Sequence, residues 1–388
     1  MFSKSNELQS TLVKADQINR KSLNKFISYC DTPSYIYDLG KLKRNYEQFA
    51  TLFNEFKIFY SVKTNPNIEI LKELDALSSN FDAASIGEIS QLVQLGINPS
   101  KILYTHPIKF VKDIQKAYSL GIINFTFDSL KELTLLIENA PKAAYFMRVK
   151  PPTDGDFYPY SDKFGVSEDS VSEMINFCMD RRLLLKGLSF HVGSQNMSLK
   201  PWEDVLKIIV NLYNEYSSKG YAIPVLNIGS GFPFEYSFKA CPTLKEIRNK
   251  IKSYTDRLPL GTELWCEPGR VLVANTVMLI CSVIRRLERC NSNWLFVDMG
   301  VYHGLIEILE SRGRLEYEID VLGRTGETSK FNIAGWTLDP DDNLALNISL
   351  PKGVQDNDRL IIKGVGAYTY TLYSNYHSFL PPNIYYLC

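Results

Sequence analysis

A lysine, a histidine, a glutamate and an arginine, each closely following a strand-like run, carry most of the chemistry this sequence offers. Lys63 of "FYSVKTNPN" stands where Phe, Tyr and Val give way to turn residues. An ammonium drawn into a partly apolar mouth loses some of its preference for the charged state and becomes a nucleophilic amine suited to a Schiff base. In "NIGSGFP", Gly229, Ser230 and Gly231 follow a strand and can turn backbone N–H groups toward an anion, while Arg270 of "CEPGR" offers a guanidinium to the same group. Together they predict a phosphate cup. Glu267 is the candidate acid partner for a ring nitrogen, and the flat imidazole of His191 could stack on that ring.

A phosphate cup, an imine-forming lysine and a carboxylate specify pyridoxal 5'-phosphate, whose pyridine nitrogen needs an acid partner if the ring is to act as an electron sink. Singly, each residue has an ordinary reading: a surface lysine, a hydrogen-bonded core histidine, a glycine that closes a loop. The combination is what points to the cofactor.

These side chains need a scaffold that gathers strand ends. From residue 56 the sequence offers eight strand-like runs, "FKIFYSV", "SNFDAAS", "KILYTHP", "INFTFDS", "AYFMRVK", "LKGLSFHVG", "VLNIGSGF" and "ELWCEPGRVLV". Helix patterns such as "NIEILKELDALS" and "SLKELTLLIENA" lie between them. That alternation predicts an α/β fold, a closed (β/α)8 TIM barrel over residues 39–273, with an open doubly wound sheet as the alternative. At the strand ends stand Lys63, Asp82 with Glu88 close behind, His106, Arg148, His191 with Ser194, Gly229 to Gly231, and Glu267 with Arg270, all expected at one mouth. After residue 274 come strands without intervening helices, a C-terminal all-β domain. The early run "TPSYIYDL" is strand-like too, so residues 1–38 are expected to join 274–388.

Composition narrows the partners. With 388 residues, 45% of them hydrophobic, the chain can build two cores, and 43 basic against 43 acidic residues leave no field favouring nucleic acid or an anionic membrane. A small molecule is the expected partner. The start lacks the apolar stretch of a signal peptide, and no run approaches a membrane span, so a cytoplasmic location is expected. Seven cysteines without CxxC or CxxH spacing read as reduced thiols with no metal.

In order, "FYSVKTNPN", "FDAASIGEI", "KFG", "HVGSQ", "NIGSGFP", "CEPGR", "DMGVYHG" and "GAYT" resemble motifs of the barrel-type pyridoxal-phosphate decarboxylases, the ornithine, diaminopimelate and arginine decarboxylase family. The resemblance runs through nearly the whole chain. It implies that Lys63 carries the cofactor as a Schiff base, that His191 stacks on the ring and that Glu267 pairs with its nitrogen. Ser194, Gly229, Ser230, Gly231, Arg270 and Tyr368 would hold the phosphate, with Asp82, Glu88 and Arg148 lining the pocket. It also implies a homodimer in which the β-domain of a second subunit completes each site, with Lys163 and Asp342 as an ion pair across the interface.

Two positions depart from the family pattern. Members usually carry Gly-Pro-x-Cys followed by an acid, where this chain has Gly335, Trp336, Thr337, Leu338 and Asp339. Leucine replaces the cysteine that assists proton return, leaving Lys63, Tyr302, His303 or water for that task. Met299 stands where ornithine decarboxylases carry the acid that receives the distal amine. Asp339 remains for a substrate cation, with Asp298, His303 and Tyr302 as further substrate contacts, and Met299 and Leu338 are expected to make the distal pocket apolar and simple ornithine a poor substrate. The expected activity is decarboxylation of a basic diamino acid of the ornithine or lysine kind. A conjugated diamino acid, racemisation or decarboxylation-linked oxidation on the same scaffold, and a non-catalytic regulatory homologue are the alternatives.

Overall fold

The computed structural model describes residues 20–152, 163–236 and 240–387. The lead-in 1–19, assigned above to the β-domain, and Cys388 lie outside the described residues. The chain divides into two compact units, Lys43–Leu272 and the pair Met1–Leu42 with Val273–Cys388.

In the first unit, strands Phe56–Ser61, Asn80–Ala83, Ile102–Tyr104, Asn124–Phe127, Ala144–Arg148, Leu185–Ser189, Val225–Asn227 and Glu263–Cys266 close into a barrel. Each runs parallel to the next, and the last pairs with the first through Phe56 and Leu264. Helices cross between strands and begin where the sequence can cap them. Ser85, Ser129 and Thr243 accept the backbone N–H of Glu88, Glu132 and Glu246, three residues on, which satisfies donors that the first turn leaves without partners. In helix Lys200–Ser218, Trp202, Val205, Leu206, Ile209 and Tyr213 recur at helical spacing and are buried.

The barrel interior explains the site. Phe59, Leu103, Phe146, Val225 and Trp265 form one buried cluster, with Phe59 stacked on Trp265 at 4.6 Å and Phe146 tilted against it at 5.0 Å. Side chains two apart on a strand share a face. The residues two positions further on are therefore Ser61, Thr105, Arg148, Asn227 and Glu267, a polar layer lying on an apolar plug.

In the second unit, strands Ile319–Val321, Arg359–Lys363, Val277–Arg289, Ser292–Val297, Thr328–Ala334 and Asn343–Pro351 lie side by side in that order. Ser34–Asp38 pairs antiparallel with Val277–Arg289 and parallel with Asn383–Leu387. Two details differ from the sequence reading. "RVLV" after Glu267 is a helical turn, Arg270–Val273, and a four-residue helix, Glu307–Glu310, interrupts the β-unit. Among the described residues no helix is long and apolar enough to cross a membrane.

Candidate active site

Lys63 leaves the first barrel strand in a short 3-10 turn, and its Nζ lies 2.7 Å from Asp82 Oδ2. An apolar setting would favour the free amine; the observed carboxylate partner instead suits the ammonium. Asp82 also accepts hydrogen bonds from Ser61 Oγ, at 2.7 Å, and from Thr105 Oγ1. Burial alone would raise the pKa of Asp82, but Lys63 and the two hydroxyls hold it below the usual carboxylate range. Glu267 moves the other way. Burial, and after it the charge on Asp82, push its pKa up to about 7, against the pull of Lys63, Asn227 and Arg148. One carboxylate is thus held charged while its neighbour is poised near neutrality, the separation by which a single site supports both charge pairing and proton sharing.

Glu267 is anchored by Asn227, whose Nδ2 donates to Oε1 at 2.6 Å. His191 accepts the N–H of Gly193 at Nδ1, 3.0 Å away, which puts the proton of a neutral ring on Nε2. Burial, then Arg148 and Lys63, hold its pKa well below that of a free histidine, so the ring stays uncharged. Glu88, in the first turn of the helix that follows Asp82, reaches back to accept the N–H of Ala84 at 2.5 Å, and burial raises its pKa. Arg148 lies over the ring of Phe164, 5.4 Å from its centroid, and His106 meets the same ring edge-on at 5.5 Å.

At the phosphate end, buried Arg270 donates from Nη1 to Tyr236 Oη at 2.9 Å and from Nη2 to Ser194 Oγ at 3.2 Å. Gly229 has φ +62° and Gly231 φ +123°; a Cβ on Gly229 would sit 1.8 Å from the carbonyl oxygen of Phe190, and one on Gly231 2.5 Å from Val192. Only glycine follows this path so closely against its neighbours. One expectation needs correcting: the N–H of Gly229 donates to Asn227 Oδ1 at 2.9 Å, so it braces the turn rather than facing an anion.

The β-unit treats its candidates differently. Asp342, expected to pair with Lys163 of a partner, is 2% exposed, and its carboxylate accepts Val301 N–H at 2.8 Å and Thr337 Oγ1 at 2.6 Å. These bonds lock the loop holding Asp339 and occupy the Asp342 carboxylate within its own unit. Asp298 accepts the N–H of Ser282 at 2.7 Å and a hydrogen bond from Thr32, so it fastens strands instead of meeting a substrate. His303 is buried against Tyr373 and Phe379, with Nε2 at 3.2 Å from the carbonyl oxygen of Tyr376. Met299 is 1% exposed and belongs to the unit's core, not to a distal pocket. Tyr302 and Asp339 do stay together: loss of solvent around the ring and then a hydrogen bond with Asp339 push the tyrosine up to about 12. Leu338, beside them, is 92% exposed. Tyr368 is half-buried, with φ +53° in the turn after strand Arg359–Lys363.

Residues 39–274 match the family described as the pyridoxal-dependent decarboxylase, pyridoxal binding domain. A diaminopimelate decarboxylase from Campylobacter jejuni is 30% identical over 365 residues, covering 90% of this chain and 89% of that protein. This chain belongs to the pyridoxal-dependent decarboxylases. The lysine/ornithine decarboxylase of Selenomonas ruminantium is 28% identical over 96% of the chain and 94% of its own length. Among solved structures, SrLDC in complex with PLP and cadaverine superposes with a TM-score of 0.86 at 27% identity, covering 96% of this chain and 94% of the other. The lysine/ornithine decarboxylase of Vibrio vulnificus with cadaverine gives 0.86 at 25% identity, covering 96% and 100%.

The decarboxylase takes pyridoxal 5'-phosphate as its cofactor, and the barrel side chains fit that group. A primary amine, an uncharged imidazole, a carboxylate poised near neutrality and a buried guanidinium beside a Cβ-free turn match its aldehyde, ring face, ring nitrogen and phosphate. Ser61, Thr105, Asn227 and Tyr236 escaped the sequence reading. The first three were detectable by stepping two residues along each strand from the apolar plug; nothing local marks Tyr236.

Proposed function

We propose that this decarboxylase acts on a basic amino acid of the ornithine or lysine type, with Lys63 as the residue that carries the cofactor. The observation that carries the assignment is the Lys63–Asp82 contact of 2.7 Å in a barrel mouth that also holds Glu267 and Arg270. The lysine/ornithine decarboxylases and cadaverine complexes among the relatives named above support the substrate class, beside the diaminopimelate decarboxylase of Campylobacter jejuni.

Bound pyridoxal phosphate supplies an electrophilic aldehyde and a ring that accepts the electron pair left when carbon dioxide departs. The chain does the rest. Asp82 holds the Lys63 amine in place and balances its positive charge when it is protonated. His191, uncharged, covers a ring face without adding a second positive charge. Glu267 would hold the proton between itself and the ring nitrogen, and Arg270, Ser194, Ser230 and Gly231, with Tyr368, would hold the phosphate. Leu338 stands in the place of a thiol and His303 is buried. Of the remaining candidates, Lys63, Tyr302 and water, we assign the return of a proton to the product carbon to Lys63, whose amine Asp82 holds at the barrel mouth. Asp339, oriented by Tyr302, receives the distal ammonium.

We also assign a homodimer in which each β-unit completes the barrel site of its partner. The 92% exposure of Leu338 and 44% exposure of Trp336, on the loop that carries Asp339, support a loop that a second copy covers. Borohydride reduction of the cofactor-loaded protein followed by peptide mapping should label Lys63, and a label on another lysine overturns the assignment. Carbon dioxide release should be fastest with lysine or ornithine; preference for an acidic or neutral amino acid rejects the substrate class. Mixed Lys63→Ala and Asp339→Ala subunits should regain a fraction of the activity, and none regained after proven exchange rejects the composite site.

A further inference from the structure

Asn227 ends the seventh barrel strand and is wholly buried. Its side chain has one donor end and one acceptor end, and both are used. Nδ2 donates to Glu267 Oε1 at 2.6 Å, and Oδ1 accepts the N–H of Gly229 at 2.9 Å. The backbone closes the circuit, because Glu267 N–H donates to the Gly229 carbonyl at 2.7 Å. Three hydrogen bonds therefore join the acid to the glycine turn in one ring. The turn itself is fixed, since Gly229 presses against the carbonyl of Phe190.

We propose that Asn227 is a positioning residue that sets the proton occupancy of Glu267 while it shapes the phosphate turn, so that one amide governs both ends of the cofactor site. The proposal rests on the reading that Glu267 meets the ring nitrogen.

An amide serves both bonds without a charge of its own. An aspartate at 227 has the same shape and keeps an acceptor for Gly229, but it sets a second carboxylate against Glu267. A leucine has similar volume and satisfies neither bond. The other charged or titratable groups acting on Glu267 pull in both directions. Asp82 on the second strand disfavours its charge, whereas Lys63 after the first and Arg148 on the fifth favour it. The adjoining buried Cys266 has its own pKa raised by burial and then by Glu267. Against these opposed fields, the short bond from Asn227 is a directional stabilisation of the carboxylate.

The experiment measures the affinity of apoprotein for pyridoxal phosphate as a function of pH in wild type, Asn227→Asp, Asn227→Leu, Glu267→Gln and the double variant Asn227→Asp/Glu267→Gln. Wild-type affinity should weaken as pH falls through about 7, where Glu267 takes up a proton. In Asn227→Asp this bend should move upward by about one to two pH units, the size of a charge-assisted hydrogen bond lost. Affinity above the bend should stay near wild type, because Gly229 keeps its acceptor. Asn227→Leu should show the upward shift together with a roughly tenfold loss of affinity at every pH, the scale of one hydrogen bond. If Asn227→Asp keeps the wild-type bend, Asn227 only braces the turn and the proposal falls; should Asn227→Leu fail to fold, the isosteric aspartate decides alone. The Glu267→Gln arm separates the two readings. If Glu267→Gln retains the bend, Glu267 is not the partner of the ring nitrogen, whatever Asn227 does; if the bend vanishes there and the double variant shows no shift, the effect of Asn227 runs through Glu267.

Discussion

The barrel mouth and the β-unit both offered the sequence a set of polar candidates, and the two units use them differently. In the barrel, Lys63, Asp82, Arg148, His191 and Glu267 act on one another, and Arg270 meets Tyr236 and Ser194. In the β-unit, Asp298, Asp342 and His303 are taken up by hydrogen bonds that hold the unit together. A parallel barrel has one C-terminal edge, so any polar residue at a strand end is sent to the same mouth. The largely antiparallel β-unit has no common edge. There, a residue's place after a strand says nothing about which side it faces, and a carboxylate between closely spaced loops meets backbone N–H groups before it meets a ligand.

The largest effect is expected at Glu267. Glu267→Gln should lower kcat by roughly 10²–10³-fold, the scale of removing one preorganised electrostatic group. It should also change stability. Because the folded pKa of about 7 lies above the ordinary 4.5, the folded apoprotein holds a proton across that window that the unfolded chain has released. Its stability should fall as pH rises from about 4.5 to about 7, and Glu267→Gln should remove that slope in denaturant titrations. A slope unchanged by the substitution would place the titrating group elsewhere.

Trp265→Ala tests whether the polar layer depends on the plug beneath it. Losing a buried indole costs about 3–5 kcal/mol, and urea unfolding should show it together with weaker cofactor binding. Full stability would mean that the interior repacks without it.

Asp339→Ala probes the β-unit candidate acid that stays partly exposed, with one oxygen accepting the N–H of Asp341 at 2.9 Å. KM for lysine or ornithine should rise about 10- to 100-fold, the loss of one charge-assisted hydrogen bond, with a smaller change in kcat. An unchanged KM would remove Asp339 from substrate recognition and equate it with its structural neighbours.

The smallest kinetic effect is expected at Asp342. Asp342→Asn should lower stability by about 1–3 kcal/mol, because the donors on Val301 and Thr337 lose a charged acceptor, while KM of the folded protein changes little. Loss of dimerisation at full stability would instead favour the intersubunit ion pair with Lys163.

Much of this was legible in the linear sequence. Alternating periodicities announced the barrel, and the glycines of "GSGFP" with "EPGR" announced an anion site, since backbone geometry dictates those residue types locally. The polar layer was half-legible. Glu267 and Arg148 stood out by charge, whereas Ser61, Thr105 and Asn227 belong to it only because Phe59, Leu103 and Val225 face inward, a direction set once the barrel closes. By itself the sequence determined the strand-helix rhythm and the amine, imidazole and guanidinium at the strand ends, because period and residue type are properties of short segments. Only tertiary structure decided that Asp82 meets the ammonium of Lys63, that Asn227 joins Glu267 to the glycine turn, and that Asp298 and Asp342 face inward. Those outcomes depend on which distant side chains share a buried volume, and in a low-dielectric interior that company fixes both charge and role.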